Sequence, residues 1–205
     1  RFDKGVGKTS LIYRYINNEF NEKNDTSIGL DFQEKPVKVT PKKKITLMIW
    51  DTAGSEKFRS IAHSFFTNCD GIILCYDTTD KKTFENLNGW INYINEYIEI
   101  KIDTSNENIK NNEGEDEEEN EVEELEWAKE EQFKPVVVLA GTKIDLEDNK
   151  CVFNEDIKNL TKIIKCEYFE TSAKSGVGVE DVFLYMAKDL FEKKIAIAKK
   201  RKGFK

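Results

Sequence analysis

The stretch Gly5-Val6-Gly7-Lys8-Thr9-Ser10 decides the fold, because it has the composition of a loop that binds phosphate. Its glycines let successive backbone N–H groups face phosphate oxygens, the Lys8 ammonium reaches the β- and γ-phosphates, and the Thr9 hydroxyl is a ligand for Mg²⁺. The residues after Thr9 have helical spacing, so the N-terminus of that helix would also face the anion. A fortuitous glycine-rich turn is the alternative for this motif taken alone.

The start of the usual phosphate-loop pattern, G-x-x-x-x-G-K-[ST], is incomplete. Phe2 occupies the place of its first glycine, six residues before Lys8. Arg1 and Phe2 are too few residues for a strand, which averages ~5–6 residues. We therefore expect the strand that leads into the loop to be missing, and a chain with a normal N-terminal extension to fold and bind nucleotide better.

Short apolar runs alternate with helical spacing along the chain, which is typical of a doubly wound α/β fold with a mostly parallel sheet. We predict strands at Ile45–Trp50, Gly71–Tyr76, Val136–Ala140 and Glu167–Phe169. Helical stripes are expected within residues 84–98, 157–164 and 182–191. Residues Phe32–Val39 and the first of these strands, joined by a turn at Pro41, predict one antiparallel edge hairpin.

The charge of the chain is concentrated in two segments. Residues 101–134 contain fourteen Asp or Glu against four Lys, a local charge of −10 in a chain of 205 residues with a net charge of −7. Such a run repels itself and cannot bury apolar surface, so we predict an acidic low-complexity insertion within a domain spanning residues 1–192. Residues 193–205 carry seven Lys or Arg and are predicted to form a basic tail. A solvated, dispensable loop is the simplest interpretation of the insertion.

The cysteines and the hydropathy exclude several classes of protein. Cys69, Cys75, Cys151 and Cys166 have no metal-ligand spacing, and His63 is the only histidine. No apolar run approaches the ~20 residues that span a bilayer. We therefore expect a soluble protein of a reducing compartment rather than a zinc, disulfide-rich or membrane-spanning protein.

Three further motifs follow predicted strands, where α/β folds bind ligands. Asp51 of Asp51-Thr52-Ala53-Gly54 could hold Mg²⁺ through water while the Gly54 N–H reaches a γ-phosphate; a turn capped by Asp is the alternative. Asp145 of Thr142-Lys143-Ile144-Asp145 can accept hydrogen bonds from guanine N1–H and the exocyclic amine, which adenine cannot match. The run Glu170-Thr171-Ser172-Ala173-Lys174 could offer a backbone N–H to guanine O6.

With these four motifs in order, the sequence resembles a small GTPase of the Ras superfamily and, more narrowly, a Rab. The stretches that carry this likeness are Ile28-Gly29-Leu30-Asp31-Phe32, Thr46-Leu47-Met48-Ile49-Trp50, Lys57-Phe58-Arg59-Ser60-Ile61, Phe65-Phe66-Thr67-Asn68-Cys69 and Leu74-Cys75-Tyr76-Asp77-Thr78. The resemblance implies a P-loop GTPase fold and a GTP/GDP switch. Two loops, about residues 18–31 and 53–68, would be ordered by the γ-phosphate and Mg²⁺.

Matched residue by residue, the resemblance assigns roles to a defined set of side chains. Nucleotide contacts fall to Lys4, Gly5, Val6, Gly7, Lys8, Thr9, Ser10, Gly54, Thr142, Lys143, Asp145, Ser172, Ala173 and Lys174. The Mg²⁺ ligands would be Thr9, Ser27 and Asp51; the catalytic residues Lys8 and Ser55; and the effector contacts Ile28, Phe32, Trp50 and Phe66.

Three positions depart from the Rab pattern. Ser27 stands in place of Thr, and Thr142 in place of Asn, as in the Rho family. Ser55 replaces the Gln that orients the attacking water, so we expect slow hydrolysis. Packing of the hairpin and switch is the alternative role for the aromatic residues, and His63 is expected to be a solvated switch residue.

The resemblance implies guanine nucleotide and Mg²⁺ as ligands and effectors, an exchange factor and a GTPase-activating protein as partners, with no nucleic acid. It also implies a peripheral position on the cytosolic face of intracellular membranes, provided that a lipidated C-terminus exists. Two other functions stay open. One is a guanine-nucleotide-binding scaffold that has lost useful hydrolysis, and the other is an adenine-using P-loop phosphotransferase, against which Asp145 argues.

Overall fold

The computed structural model describes residues 5–22, 31–51, 69–95 and 134–203. The strands are β1 (Asp31–Thr40), β2 (Lys43–Asp51), β3 (Gly71–Asp77), β4 (Val136–Thr142) and β5 (Glu167–Glu170). The helices are α1 (Lys8–Asn17), α2 (Lys81–Glu85), α3 (residues 87–95), α4 (Asn154–Ile164) and α5 (Val179–Gly203), with a 3₁₀ turn at Glu147–Asn149.

Strands β3, β4 and β5 form a parallel sheet in that order, and β1 pairs with β2 as an antiparallel hairpin. Gly71 pairs with Val136 and Asp77 with Thr142, so the carboxyl ends of β3 and β4 lie side by side. The predicted parallel sheet with an antiparallel hairpin is confirmed. Within the described residues the hairpin and the parallel strands are two separate sheets, and residues 1–4, where we expected the strand to be missing, lie outside the description.

Helices cover both faces of the parallel sheet, because the side chains of β4 alternate between two apolar clusters. Val138 packs in one cluster with Leu11 of α1 and Val182 of α5. Leu139 packs in the other with residues of α3 and α4, including Leu87 and Ile157. This alternation is the two-residue period of a strand, and it makes the fold doubly wound.

The apolar stripe from Phe84 onward predicts one continuous helix, but the structure divides it. α2 ends at Glu85, Asn86 is a turn residue, and α3 begins at residue 87. The Gly89 N–H bonds the Asn86 carbonyl three residues back, so the backbone tightens locally at this point. The apolar stripe still faces the core as the sequence predicts, because Leu87 and Ile94 are both buried.

Helix α5 does not end where the basic segment begins but continues through it to Gly203. Its N-terminal part packs on the sheet, where the Met186 sulfur lies so close to Gly71 that a Cβ there would overlap it. Further along, the Lys194 ammonium lies 2.7 Å from the Asp70 carboxylate, just before β3. The helix therefore runs from the carboxyl edge of the sheet back past the start of its strands.

Candidate functional site

The loop before α1 has the backbone that a phosphate site needs. Gly5 and Gly7 have φ of 88° and 90°, a region that favours glycine. Gly7 is the N-cap of α1 and places no side chain over the first turn, where the backbone N–H groups carry partial positive charge. Lys8 and Thr9 begin the helix, so the ammonium and the hydroxyl start from the same turn.

The Thr9 hydroxyl and the Asp51 carboxylate meet although they come from different elements. Thr9 Oγ1 donates to Asp51 Oδ2 at 2.6 Å, and Asp51 is the buried last residue of β2. A hydroxyl and a carboxylate are the hard oxygen donors that Mg²⁺ prefers, so these two residues fit the ion. In the described ranges, His, Cys, Asp and Glu side chains nowhere gather in threes to hold a metal.

Thr142, at the end of β4, directs its hydroxyl at backbone rather than into the open edge of the sheet. Its Oγ1 lies 2.6 Å from the Val6 carbonyl oxygen and 2.9 Å from the Tyr76 carbonyl oxygen, and the side chain is buried. A Cβ added to Gly7 would lie 3.8 Å from the same hydroxyl. Thr142 therefore supports the phosphate loop from below.

Lys143 follows in a left-handed conformation, with φ of 60°. Its ammonium lies 2.5 Å from a carboxylate oxygen of Asp77, at the end of the neighbouring strand. The other Asp77 oxygen accepts from the backbone N–H and the hydroxyl of Thr79, at 2.9 and 2.7 Å. This network joins the carboxyl ends of β3 and β4.

The two segments predicted to bind the base are brought together by direct contacts. The Ser172 hydroxyl donates to Asp145 Oδ1 at 2.6 Å, and the Ile144 N–H donates to the Thr171 carbonyl at 3.3 Å. Ser172 is fully buried, so its hydroxyl is held in one place. The Asp145 carboxylate is thus oriented by the segment that contains Ala173.

A tyrosine pair lies under this edge of the sheet, with Tyr76 buried and Tyr168 half-buried. The hydroxyls of Tyr76 and Tyr168 are 3.0 Å apart, and a Cβ on Gly141 would lie within 2.9 Å of both. Gly141 therefore makes room for the pair. Burial, with a smaller contribution from the charge of Glu170, raises the pKa of Tyr168 to about 12.

Sequence reasoning missed Arg14 of α1. Its guanidinium donates to the carbonyls of Ala173, Lys174 and Asn18, at 2.5, 2.7 and 2.8 Å. The signal was weak, because a single Arg in a helix is ordinarily solvated. Its partners are as far as 160 residues away along the chain.

Two predicted effector residues form a cross-strand pair on the hairpin. Phe32 and Trp50 face each other in the register of β1 and β2, with ring centroids 4.8 Å apart. Trp50 keeps 46% and Met48 61% of its surface exposed, an unusual amount for such large apolar side chains. The hairpin therefore presents apolar surface to solvent.

Several predicted residues lie outside the described ranges. They are Lys4, Ser27, Ile28, Gly54, Ser55, His63 and Phe66, together with residues 101–133 of the acidic insertion. Their roles stay predictions. Among the helices of the described residues, none has the length and apolar character to cross a membrane.

A glycine loop at a helix N-terminus, with carboxylates at the ends of β2 and β4, defines the class of α/β proteins that bind nucleotides. The Ras family model matches residues 3–123 and 108–192. Rab-10 of Diplobatis ommata is 33% identical over 191 residues, 93% of this chain and 78% of that protein. Rab-13 of Rattus norvegicus is 34% identical over 191 residues, 93% of this chain and 77% of its own. Rab-27A of Canis lupus familiaris is 33% identical over 202 residues, which cover 94% of this chain and 76% of that protein.

The chain belongs to the Ras family and, within it, to the Rab small GTPases. It is therefore a GTP-binding protein and, in general terms, a GTPase switch. The predicted family and the predicted P-loop GTPase fold are confirmed.

Proposed function

We propose that this protein is a Rab-like switch that binds GTP or GDP with Mg²⁺, hydrolyses GTP slowly and recruits effectors in intracellular vesicle traffic. The observation that carries the nucleotide choice is the 2.6 Å hydrogen bond from Ser172 to Asp145. It leaves the carboxylate fixed at the sheet edge, where it accepts from guanine N1–H and the exocyclic amine. Adenine would leave these acceptors unpaired.

The phosphate side of the site would hold the triphosphate and its ion. Lys8 and the N–H groups of residues 5–10 would contact phosphate oxygens, while Thr9, Ser27 and, through water, Asp51 would hold Mg²⁺. When bound, Mg²⁺ neutralises charge on the β- and γ-phosphates. The 2.6 Å contact between Thr9 and Asp51 supports this placement, because both oxygens already face one point.

Hydrolysis is proposed to be slow because Ser55 stands where most of the family has Gln. A serine hydroxyl is too short to orient a water against the γ-phosphate, and positioning supplies most of the catalysis in phosphoryl transfer. A GTPase-activating protein would add an arginine worth ~10³–10⁵ in rate if the other parts are intact. The same substitution favours the second candidate function, a guanine-nucleotide-binding scaffold without useful hydrolysis.

Effector recruitment is proposed to use the exposed aromatic surface of the hairpin. Phe32 and Trp50, with Ile28 and Phe66 from the adjoining switch loops, would form the contact, since large aromatic side chains anchor interfaces. We propose a peripheral position on the cytosolic face of intracellular membranes, provided that the C-terminus carries a lipid group. Each of the seven Lys and Arg residues within 193–205 would add ~1 kcal/mol to the free energy of binding to anionic lipid, a contribution that salt screens.

Competition for a fluorescent GDP analogue tests the nucleotide choice. With Mg²⁺ present, GDP and GTP are expected to displace the analogue at concentrations at least about a hundredfold lower than ADP, since a site built for hydrogen bonds rejects an unmatched base. Chelation of Mg²⁺ should speed release of the bound nucleotide. Equal displacement by ADP and GDP would contradict the proposal.

A further inference from the structure

The Arg14 guanidinium joins the end of α1 to the loop after β5, which lies 159 residues away along the chain. Its Nε donates to the Ala173 carbonyl and one terminal nitrogen to the Lys174 carbonyl, while the other terminal nitrogen donates to the Asn18 carbonyl. A planar guanidinium with five N–H donors can bond several acceptors at fixed angles, which a lysine ammonium cannot do. Arg14 therefore holds the loop after β5 against the end of α1.

The contacts continue from Arg14 to Asp145 through one peptide group. The Lys174 carbonyl accepts from Arg14 at 2.7 Å, and the N–H of the same peptide, which belongs to Ser175, donates to the Ser172 hydroxyl oxygen at 3.0 Å. The Ser172 hydroxyl then donates to Asp145 Oδ1 at 2.6 Å. Every bond in this chain runs from donor to acceptor in one direction, so each polarises the next.

From this chain of contacts we propose that Arg14 is a positioning residue for guanine recognition, acting on the Asp145 carboxylate through Ser172 and on the backbone of Ala173. The inference rests on the proposed guanine site and adds a residue to it. Arg14 lies six positions after Lys8, ~9 Å along α1 at 1.5 Å per residue. The helix that begins at the phosphates therefore also fixes the loop that meets the base.

Arg14→Met tests the proposal with three diphosphates that differ only in the base. GDP carries the 2-amine that Asp145 would accept, IDP lacks it, and ADP lacks both matching donors. In the unmodified protein we expect GDP to bind more tightly than IDP. In Arg14→Met the affinity for GDP should fall at least about tenfold, the effect of losing charge-assisted hydrogen bonds. IDP affinity should fall less, so the GDP-to-IDP ratio shrinks.

Control variants separate positioning from a general loss of stability. Lys162→Met removes an exposed cation from α4 and should change neither affinity. Arg14→Lys keeps the positive charge but lacks the planar guanidinium, so the GDP-to-IDP affinity ratio should still fall in part. This milder variant replaces Arg14→Met if the latter does not fold. In Ser172→Ala, which breaks the relay, adding Arg14→Lys should reduce the ratio little further.

Failure of the inference and failure of the proposed guanine site give different results. If Arg14→Met and Arg14→Lys lower GDP and IDP affinity by the same factor, the residue acts on stability alone and the inference is wrong. If the unmodified protein binds ADP as well as GDP, the guanine site itself is wrong. A lowered GDP-to-IDP ratio, with Lys162→Met unchanged, supports the inference.

Discussion

The Thr9 hydroxyl lies 2.6 Å from the Asp51 carboxylate, across 42 residues of sequence. The second residue of α1 and the last residue of the β1–β2 hairpin thus meet at one point. Because α1 starts at the glycine loop and β2 ends beside it, this contact joins the loop that we propose binds the phosphates to the hairpin that carries the exposed aromatic residues.

Replacement of Thr9 by Ala should weaken Mg²⁺-dependent nucleotide binding, because one of the two protein oxygens at this point is lost. We expect GDP release to become at least about tenfold faster with Mg²⁺ present, with little further change on chelation. Stopped-flow fluorescence measures both rates. Thr161→Ala, on the outer turn of α4, is the matched control and should keep the response to Mg²⁺. An unchanged Mg²⁺ response in Thr9→Ala would argue that the ion binds elsewhere.

Asp145→Asn should change the preferred base. The amide replaces one acceptor oxygen by a donor nitrogen, which suits a purine with a carbonyl at position 2 and leaves the guanine amine without its acceptor. GDP affinity should fall at least about a hundredfold while that for xanthosine diphosphate rises. Displacement titrations with both nucleotides measure the change. An unchanged order of preference would remove Asp145 from the site.

Thr142→Val keeps the shape of the side chain and removes its hydroxyl. The Val6 carbonyl then loses a buried partner, so the free energy of unfolding should fall by about 1–3 kcal/mol and GDP should dissociate faster. Urea denaturation and nucleotide release measure the two effects. Thr161→Val, whose hydroxyl bonds a carbonyl within the exposed turn of a helix, should change both much less. Loss of stability without faster release would mean that Thr142 does not support the loop.

Stability should fall above about pH 10, partly because of Tyr168. The pKa of this phenol is raised by burial to about 12, whereas in the unfolded chain it is near 10. Between these values the unfolded state releases the proton and the folded state keeps it, so unfolding is favoured as pH rises. Tyr168→Phe should flatten this decline, although it lowers stability at neutral pH by removing the bond to Tyr76. The free energy of unfolding is measured against pH, with Tyr13→Phe as the control. If it falls equally steeply above pH 10 in Tyr168→Phe, in Tyr13→Phe and in the unmodified protein, the prediction is wrong.

Ser55→Gln should speed single-turnover GTP hydrolysis at least several-fold, because the amide reaches a water that serine cannot orient. Ser60→Gln, in the same predicted switch loop, is the control and should leave the rate unchanged. If Ser55→Gln leaves the rate unchanged or lowers it, another residue positions the water.

The sequence was sufficient for the parallel strands and for the residues at their ends. β3 and β4 are continuous apolar runs, and Thr142 and Asp145 follow them at the expected edge. It could not show that Thr142 faces the Val6 carbonyl or that Arg14 bonds the loop after β5, because those partners are more than 130 residues away. Nor did it predict a helix through residues 193–203, since the density of lysines there suggested a solvated tail.

The ion pair between Lys194 and Asp70 connects α5 to the residue just before β3. Nine helical residues follow Lys194 and extend ~13 Å beyond this ion pair, at 1.5 Å per residue. A group attached beyond Gly203 would be connected to the domain by a rigid helix rather than by a flexible linker. Its distance from the nucleotide, and the side of the molecule that it turns toward a bound surface, would then be set by the geometry of one helix.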